Sequence, residues 1–210
     1  ANAHFGVSKM RWCLDNNAEV QAAVQADNLV MGPLASYLIG RLTNTLAPRV
    51  DPANASRTLL LNLQHLDWDD SLLQRAGIQR HWLPSVCPSR YDFGQLNLAN
   101  CQIPLHLVNG DQSSAAYALG LPQSTKRYIN VGTGAFVFQP VPGPIPDTPL
   151  LSSIIFHSAT SHYVLEGTVN GAGSAINPFA AERGIADLPV AIEEALASSL
   201  KKGKKVSRVT

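Results

Sequence analysis

The chain has 210 residues, 45% of them hydrophobic and 15% charged, and its 16 Lys and Arg against 15 Asp and Glu leave a net charge of +1. This balance gives no bulk electrostatic case for nucleic acid or an anionic membrane, and the length allows one large domain or two small ones. No apolar run approaches the ~18 residues of a membrane span, and no apolar stretch near Ala1–Arg11 suggests a signal peptide. Cys13, Cys87 and Cys101 are odd in number and far apart, without zinc or disulfide-framework spacing, so a reducing cytoplasm is the expected compartment. The chain does not begin with Met, and its natural start is expected to lie upstream.

In chain order, residues 8–15 read as a short helix. Asn17 is placed to cap a second helix over 18–25, and Gly32-Pro33 opens a third through Leu34, Tyr37, Leu38, Ile39 and Leu42. Asp51-Pro52 marks a turn, and 58–63 is a short apolar run predicted as a strand or strand end. A helix opening within 67–70 should stop at Gly77, and 84–88 should be loop. Residues 103–108 are predicted as a buried strand and 113–119 as a small-residue helix. After a boundary near 121–124 the texture changes to hairpins, 127–131 and 135–140, then a proline-rich loop at 141–146 and strands at 151–156 and 162–165. Helices are predicted over 171–182 and from Asp187 to about Leu200, followed by a basic run over 201–205 that reads as a solvated end. The pattern is α/β, helical first and hairpin-rich second.

Three segments carry chemistry. At Gly110-Asp111-Gln112 a carboxylate follows an apolar strand, where ligands of open α/β sheets collect, and it can accept a proton from an attacking hydroxyl. It can equally serve as the cap of the next helix, and spacing alone favours that simpler role. Gly132-Thr133-Gly134 can tolerate positive φ and form an anion nest, or be an ordinary hairpin turn. It lacks the following Gly-Lys-Ser/Thr of a Walker loop. Gly171-Ala172-Gly173-Ser174 opens a helix with small residues, suited either to a ligand on its free N–H groups or to close helix packing. Phe136 alternates with Phe138 and by itself reads as a core aromatic. The histidines show no ligand or triad spacing, and the sequon Asn54-Ala55-Ser56 carries little weight.

Taken together, the ordered segments resemble the FGGY carbohydrate kinases. The resemblance rests on Lys9-Met10-Arg11-Trp12, on Asn54-Ala55-Ser56-Arg57-Thr58, on Leu66-Asp67-Trp68-Asp69, on Gly110-Asp111-Gln112, on Gly132-Thr133-Gly134-Ala135-Phe136 and on Leu165-Glu166-Gly167 with Ala172-Gly173. It covers nearly the whole chain up to about Ile185. It implies an actin-like ATPase, RNase H-like architecture, with parts of two domains flanking a cleft. Residues 1–121 would be the C-terminal part of the substrate domain, and 122–210 the N-terminal part of the nucleotide domain. It implies transfer of a phosphoryl group from ATP, with Mg²⁺, to a hydroxyl of a small polyol or sugar, glycerol or a pentulose, in a homo-oligomer without nucleic-acid or membrane partners. By motif match Asp111 would be the general base and a metal ligand, while Gln112 and Phe136 would contact substrate. Gly132, Thr133 and Gly134 would face the ATP phosphates, and Gly173 and Asn177 would lie near the nucleotide.

The family's opening Asp-x-Gly-Thr loop and its later Gly-Gly adenosine motif are absent, so the chain resembles the middle of a longer kinase and is expected to be inactive by itself. Ser113-Ser114 follows Gln112 where glycerol kinases have Gln-Ala, and Ala35 stands where many members carry Asp. The alternative is a truncated or degenerate kinase that holds a sugar without ATP chemistry. A third possibility, an assembling actin-like ATPase, is argued against by Gly-Asp-Gln together with Asn-Ala-Ser-Arg-Thr.

Overall fold

The computed structural model describes residues 5–98, 101–132 and 134–201. Thr133 and residues 202–205 of the basic run lie outside the described residues. In chain order the elements are α1 (Gly6–Asn16), α2 (Ala18–Gln25), α3 (Leu34–Thr43), β1 (Arg49–Val50), α4 (Pro52–Ser56), β2 (Leu61–Asn62), β3 (Asp67–Trp68) and α5 (Asp70–Ala76). There follow β4 (Ser85–Val86), β5 (Gln95–Leu98), β6 (Cys101–Pro104), α6 (Asp111–Ala115), β7 (Tyr128–Val131) and β8 (Ala135–Val141). The last are β9 (Leu151–His157), β10 (Ser161–Val169), α7 (Ala172–Glu182) and α8 (Leu188–Lys201). The chain divides into two compact units, residues 1–114 with 141–165, and 115–140 with 166–210.

The first unit is built on a core of Met10 and Leu14 from α1, Val50, Leu60, Trp68, Leu73, Trp82 and Ile154. Trp68 is buried, and its indole N–H donates to the Pro84 carbonyl at 2.8 Å, so the large ring brings no unpaired donor inside. The three N-terminal helices form where apolar spacing predicts them. Asn17 caps α2, its Oδ1 accepting the Glu19 and Val20 N–H groups at 2.9 and 3.1 Å. Gly77 ends α5 at φ 62, the left-handed conformation in which glycine carries no Cβ penalty.

Asp69 caps the other end of α5. Its Oδ1 accepts the Ser71 hydroxyl and the Ser71 and Leu72 N–H groups, and its Oδ2 accepts Asn62 Nδ2. The bonds from Ser71 and Asn62 above all hold this carboxyl at about 2, below the ordinary 3.8. A depressed folded-state pKa stabilises the fold above the unfolded value and ceases to do so as pH falls through the folded one. Urea midpoints of the wild type and Asp69→Asn should therefore differ at about pH 6 and converge on acidification toward about pH 2.

Several predicted elements come out differently. The buried strand expected over 103–108 is instead a short exposed strand, β6, paired antiparallel with β5 from Gln95↔Pro104 to Leu98↔Cys101. A two-stranded ribbon covers neither of its faces, so Leu98 and Ile103 stay about half exposed. Leu105 and Val108 alone of this run turn onto the second cluster, Ile39, Cys87 and Phe93. The strand expected over 58–63 contracts to β2. The Thr58 hydroxyl donates to the Ala55 carbonyl and accepts the Leu60 N–H, which turns the chain before it can extend. Asp67 and Trp68 form β3 rather than opening the helix, and the loop at 84–88 contains β4, which pairs parallel with β1. The helix expected over 113–119 is α6, which starts two residues earlier and ends at Ala115.

In the second unit β7 and β8 form an antiparallel hairpin in the register Tyr128↔Phe138 to Val131↔Ala135, with the Tyr128 and Phe138 rings stacked 5.1 Å apart. β8 lies between β7 and β10, and α7 follows the end of β10 directly. Among the described residues no helix is long and apolar enough to cross a membrane.

Candidate active site

In the first unit, folding brings two segments about 55 residues apart in sequence into contact. α4 is capped by Asp51 and has Pro52 at its first position, where a missing N–H costs nothing. The Asp51 carboxylate is fully buried. Its Oδ2 accepts the Ala53 and Asn54 N–H groups at 3.0 and 3.3 Å, and its Oδ1 accepts Asn54 Nδ2 at 2.6 Å. Burial pushes its pKa above the ordinary carboxylate value, and the bonds from Asn54 and Ala53 pull in the opposite direction. The bond to Asn54 fixes that side chain, whose Oδ1 lies 3.7 Å from where a Cβ would stand on Gly110. Held in this way, Asn54 is no free glycosylation acceptor.

Gly110 precedes α6, and its carbonyl accepts the Ser114 N–H at 2.8 Å. Asp111 is therefore the first helical residue and not the cap. Among the described residues its carboxylate accepts a single hydrogen bond, from the adjacent Gln112 N–H at 2.7 Å, and the residue is exposed. Gln112 is half-buried beside it, and Ser113 seats the helix by burying its side chain.

The segment that delivers Asp111 is tied down through Ser89. Ser89 is fully buried; its N–H donates to the His157 carbonyl at 2.7 Å, and its Oγ accepts the His157 N–H at 3.1 Å. Its carbonyl accepts the Val108 N–H at 3.0 Å, three residues before Asp111. β9 thus anchors Ser89, and Ser89 anchors the approach to the carboxylate. Ser89→Ala would take the acceptor from the half-buried His157 N–H, and we expect a loss of about 1 kcal/mol in urea denaturation.

Sequence reasoning missed both Asp51 and Ser89. An Asp followed by Pro is a helix-start signal and could have revealed the first. Nothing local marks the second, because its partners lie 19 and 68 residues away.

In the second unit, Gly132 and Gly134 bound the hairpin turn, and Thr133 between them lies outside the described residues. The Gly132 N–H donates to the Gly134 carbonyl at 2.7 Å, so this amide is engaged within the turn. A Cβ on Gly134 would come within 3.2 Å of the Val169 carbonyl, so close backbone approach to β10 requires glycine there. Among the described residues a Cβ on Gly132 would meet the Gly134 carbonyl at 3.9 Å, an ordinary contact, and the residue is not in the left-handed region, so neither crowding nor strain there calls for glycine. The chain then passes from Val169 through Gly171, at φ 69, into α7. The turn and the free N–H groups that start this helix therefore lie at the same end of β10. Gly173 is in the first turn of α7, and exposed Asn177 is four residues on, on the same helix face. Phe136 is half-buried opposite Asn130 on β8, on the same strand face as buried Phe138.

Residues 1–118 match the model of the FGGY family of carbohydrate kinases, N-terminal domain. The chain is 34% identical over 180 residues to glycerol kinase 1 of Clostridium tetani, covering 83% of this chain and 36% of that protein. To a glycerol kinase of Saccharolobus islandicus it is 33% identical over 201 residues, 94% of this chain and 40% of the relative. In three dimensions it resembles the crystal structure of Plasmodium falciparum glycerol kinase with ADP, with a TM-score of 0.77 and 26% identity over 89% of this chain and 38% of the other. This chain belongs to the FGGY family of carbohydrate kinases, and its α/β fold is the actin-like ATPase, RNase H-like fold of those enzymes. It spans little more than a third of the length of the curated relatives it matches.

Proposed function

We propose that the protein transfers the γ-phosphoryl group of ATP to a hydroxyl of a small polyol or sugar, with Asp111 as the general base. The observation that carries this reading is the approach of Asn54 to Gly110, which brings the Asn-Ala-Ser-Arg-Thr segment to the residue before Asp111, whose exposed carboxylate does not cap its helix. Phosphoryl transfer proceeds through a loose transition state, so the protein's work is positioning and charge stabilisation. Asp111 takes the acceptor's proton late, as the new P–O bond forms. Gln112, with an amide that both donates and accepts, orients the hydroxyls. Phe136 covers the carbon side of the substrate. Gly132, Thr133 and Gly134 face the phosphates, and Gly173 and Asn177 lie near the nucleotide. The position of the glycine turn at the end of β10 where α7 begins supports these roles.

Mg²⁺ fits this donor set through Asp111. Among the described residues no cluster of three metal-ligating side chains occurs, but Mg²⁺ is ordinarily held by one or two carboxylates with water and substrate phosphates. When bound, it would neutralise charge on the transferring phosphates. The same reading assigns residues 1–121 to the substrate domain and 122–210 to the start of the nucleotide domain, supported by the family match to 1–118. Glycerol is the leading acceptor, because the curated relatives at about a third identity are glycerol kinases, with a pentulose next. A homo-oligomer and a cytoplasmic setting belong to this proposal, the latter supported by three free cysteines.

Calorimetric titration of glycerol into the longest polypeptide its gene encodes, with and without a non-hydrolysable ATP analogue, tests the reading. Nucleotide should change polyol affinity by about fivefold or more. Polyol binding indifferent to nucleotide would instead identify a non-catalytic sugar-binding module.

A further inference from the structure

We infer that Asn109 is a site of spontaneous covalent self-modification, in which the Gly110 nitrogen attacks the Asn109 carboxamide and converts the residue to aspartate or isoaspartate. Asparagine is among the thermally labile side chains, and it is most labile before glycine, where no Cβ obstructs the attacking amide. The sequence holds two such pairs, Asn109-Gly110 and Asn170-Gly171. In the first, the Gly110 N–H donates to Asn109 Oδ1 at 2.9 Å, so the nucleophile rests against the carboxamide whose Cγ it attacks. Groups held so close react intramolecularly, with little freedom left to lose on approach. In the second pair Gly171 is fixed at φ 69 at the entry to α7, and among the described residues its N–H makes no such bond to Asn170.

The surroundings leave room for the ring to close. Asn109 lies between two anchored neighbours: the Val108 N–H is bonded to the Ser89 carbonyl, and the Gly110 carbonyl accepts the Ser114 N–H. Asn109 itself is half-buried and in neither strand nor helix. Among the described residues its backbone bonds to no other backbone group, and its Nδ2 has no partner. A Cβ on Gly110 would meet nothing closer than 3.6 Å, so crowding does not clamp the attacking residue.

The Gly110 amide, on giving its proton to solvent hydroxide, forms a bond from its nitrogen to Asn109 Cγ. The Cγ–Nδ2 bond breaks, and ammonia leaves with a proton taken from water. Water then opens the succinimide at either carbonyl. Opening at Cγ leaves aspartate. Opening at the main-chain carbonyl leaves isoaspartate, whose backbone runs through Cβ and Cγ and is one carbon longer. Either product sets a new carboxylate two residues before Asp111, and isoaspartate also lengthens the chain between the Ser89 anchor and α6, which displaces the Asp111 carboxylate. That last consequence rests on the proposed catalysis, whereas the modification itself does not.

In the test, the longest polypeptide its gene encodes is kept for days at mildly alkaline pH, both folded and in urea. Peptide mass spectrometry follows the exchange of amide for carboxyl at both Asn-Gly pairs and distinguishes isoaspartate from aspartate. In the folded protein, product should accumulate faster at Asn109 than at Asn170, and in urea the two rates should converge. Asn109→Gln, whose extra methylene disfavours ring closure, should lose the product at that position alone. Turnover of a polyol or sugar by the wild type should fall in proportion to its isoaspartate, while that of Asn109→Gln persists. An intact Asn109 in the folded protein, or conversion there no faster than at Asn170, would overturn the inference. Conversion at Asn109 with undiminished turnover would overturn the effect assigned to Asp111. If the fresh wild type phosphorylates no acceptor, the proposed catalysis fails, and the comparison of the two Asn-Gly pairs still decides the modification.

Discussion

Replacing Asp111 with Asn should lower kcat for polyol phosphorylation by about 10²–10⁴-fold. The KM for ATP should change little, because the lost group acts on the acceptor's proton and not on nucleotide binding. Stability should stay within about 0.5 kcal/mol, since the residue is exposed and its carboxylate accepts only the neighbouring amide among the described residues. Asparagine keeps the size and one acceptor oxygen but cannot take a proton. Steady-state kinetics and urea denaturation of the same two proteins separate the roles. A large stability loss with kcat unchanged would return Asp111 to a structural part.

The second large effect falls on Asp51. Asp51→Ala removes a fully buried acceptor that serves two helix N–H groups and the half-buried Asn54 Nδ2. We expect a loss of about 3 kcal/mol, combining a lost cap with unsatisfied buried donors. Asp51→Asn retains one acceptor oxygen and avoids burying a charge, and should cost about 1 kcal/mol. Burial holds the folded-state pKa above 3.8, so the folded protein binds this proton more tightly than the unfolded chain does. The contribution of this group to stability therefore declines as pH rises from 3.8 through the raised folded-state pKa, the opposite of Asp69. Because Asn54 leans on Asp51, the alanine variant should also weaken polyol binding, which calorimetry on the residual folded protein would detect.

What could be read from the sequence depended on whether the determining interactions were local. Helices α1, α2 and α3 follow from apolar spacing, and their ends from Asn17 and the Gly32-Pro33 pair, because caps and helical faces are decided within a few residues. The β7–β8 hairpin was legible for the same reason. The segment 103–108 was not, because burial of an apolar run depends on what covers it. Only Leu105 and Val108 of that run meet the Phe93 cluster. The Gly-Asp-Gln segment was visible as a motif, but its support through Ser89 and Asp51 was not. The Ser89 bonds join residues far apart in the chain, and Ser89 sits in a stretch with no periodicity, whereas the Asp51 cap is local but reads from the sequence only as a turn. The apolar row of α3 was visible as helical spacing, whereas its exposure could be seen only once Ile39 was known to face inward.

The central claim is that the protein containing this site phosphorylates a small polyol or sugar. It is tested most directly by incubating the longest polypeptide its gene encodes with ATP, Mg²⁺ and a panel of glycerol, other polyols and pentuloses. ADP release and the mass of the acceptor are followed together. The account predicts that one acceptor, glycerol first, gains a single phosphoryl group as ADP appears in equal amount. Binding of a polyol with no phosphorylated product from any member of the panel would contradict it.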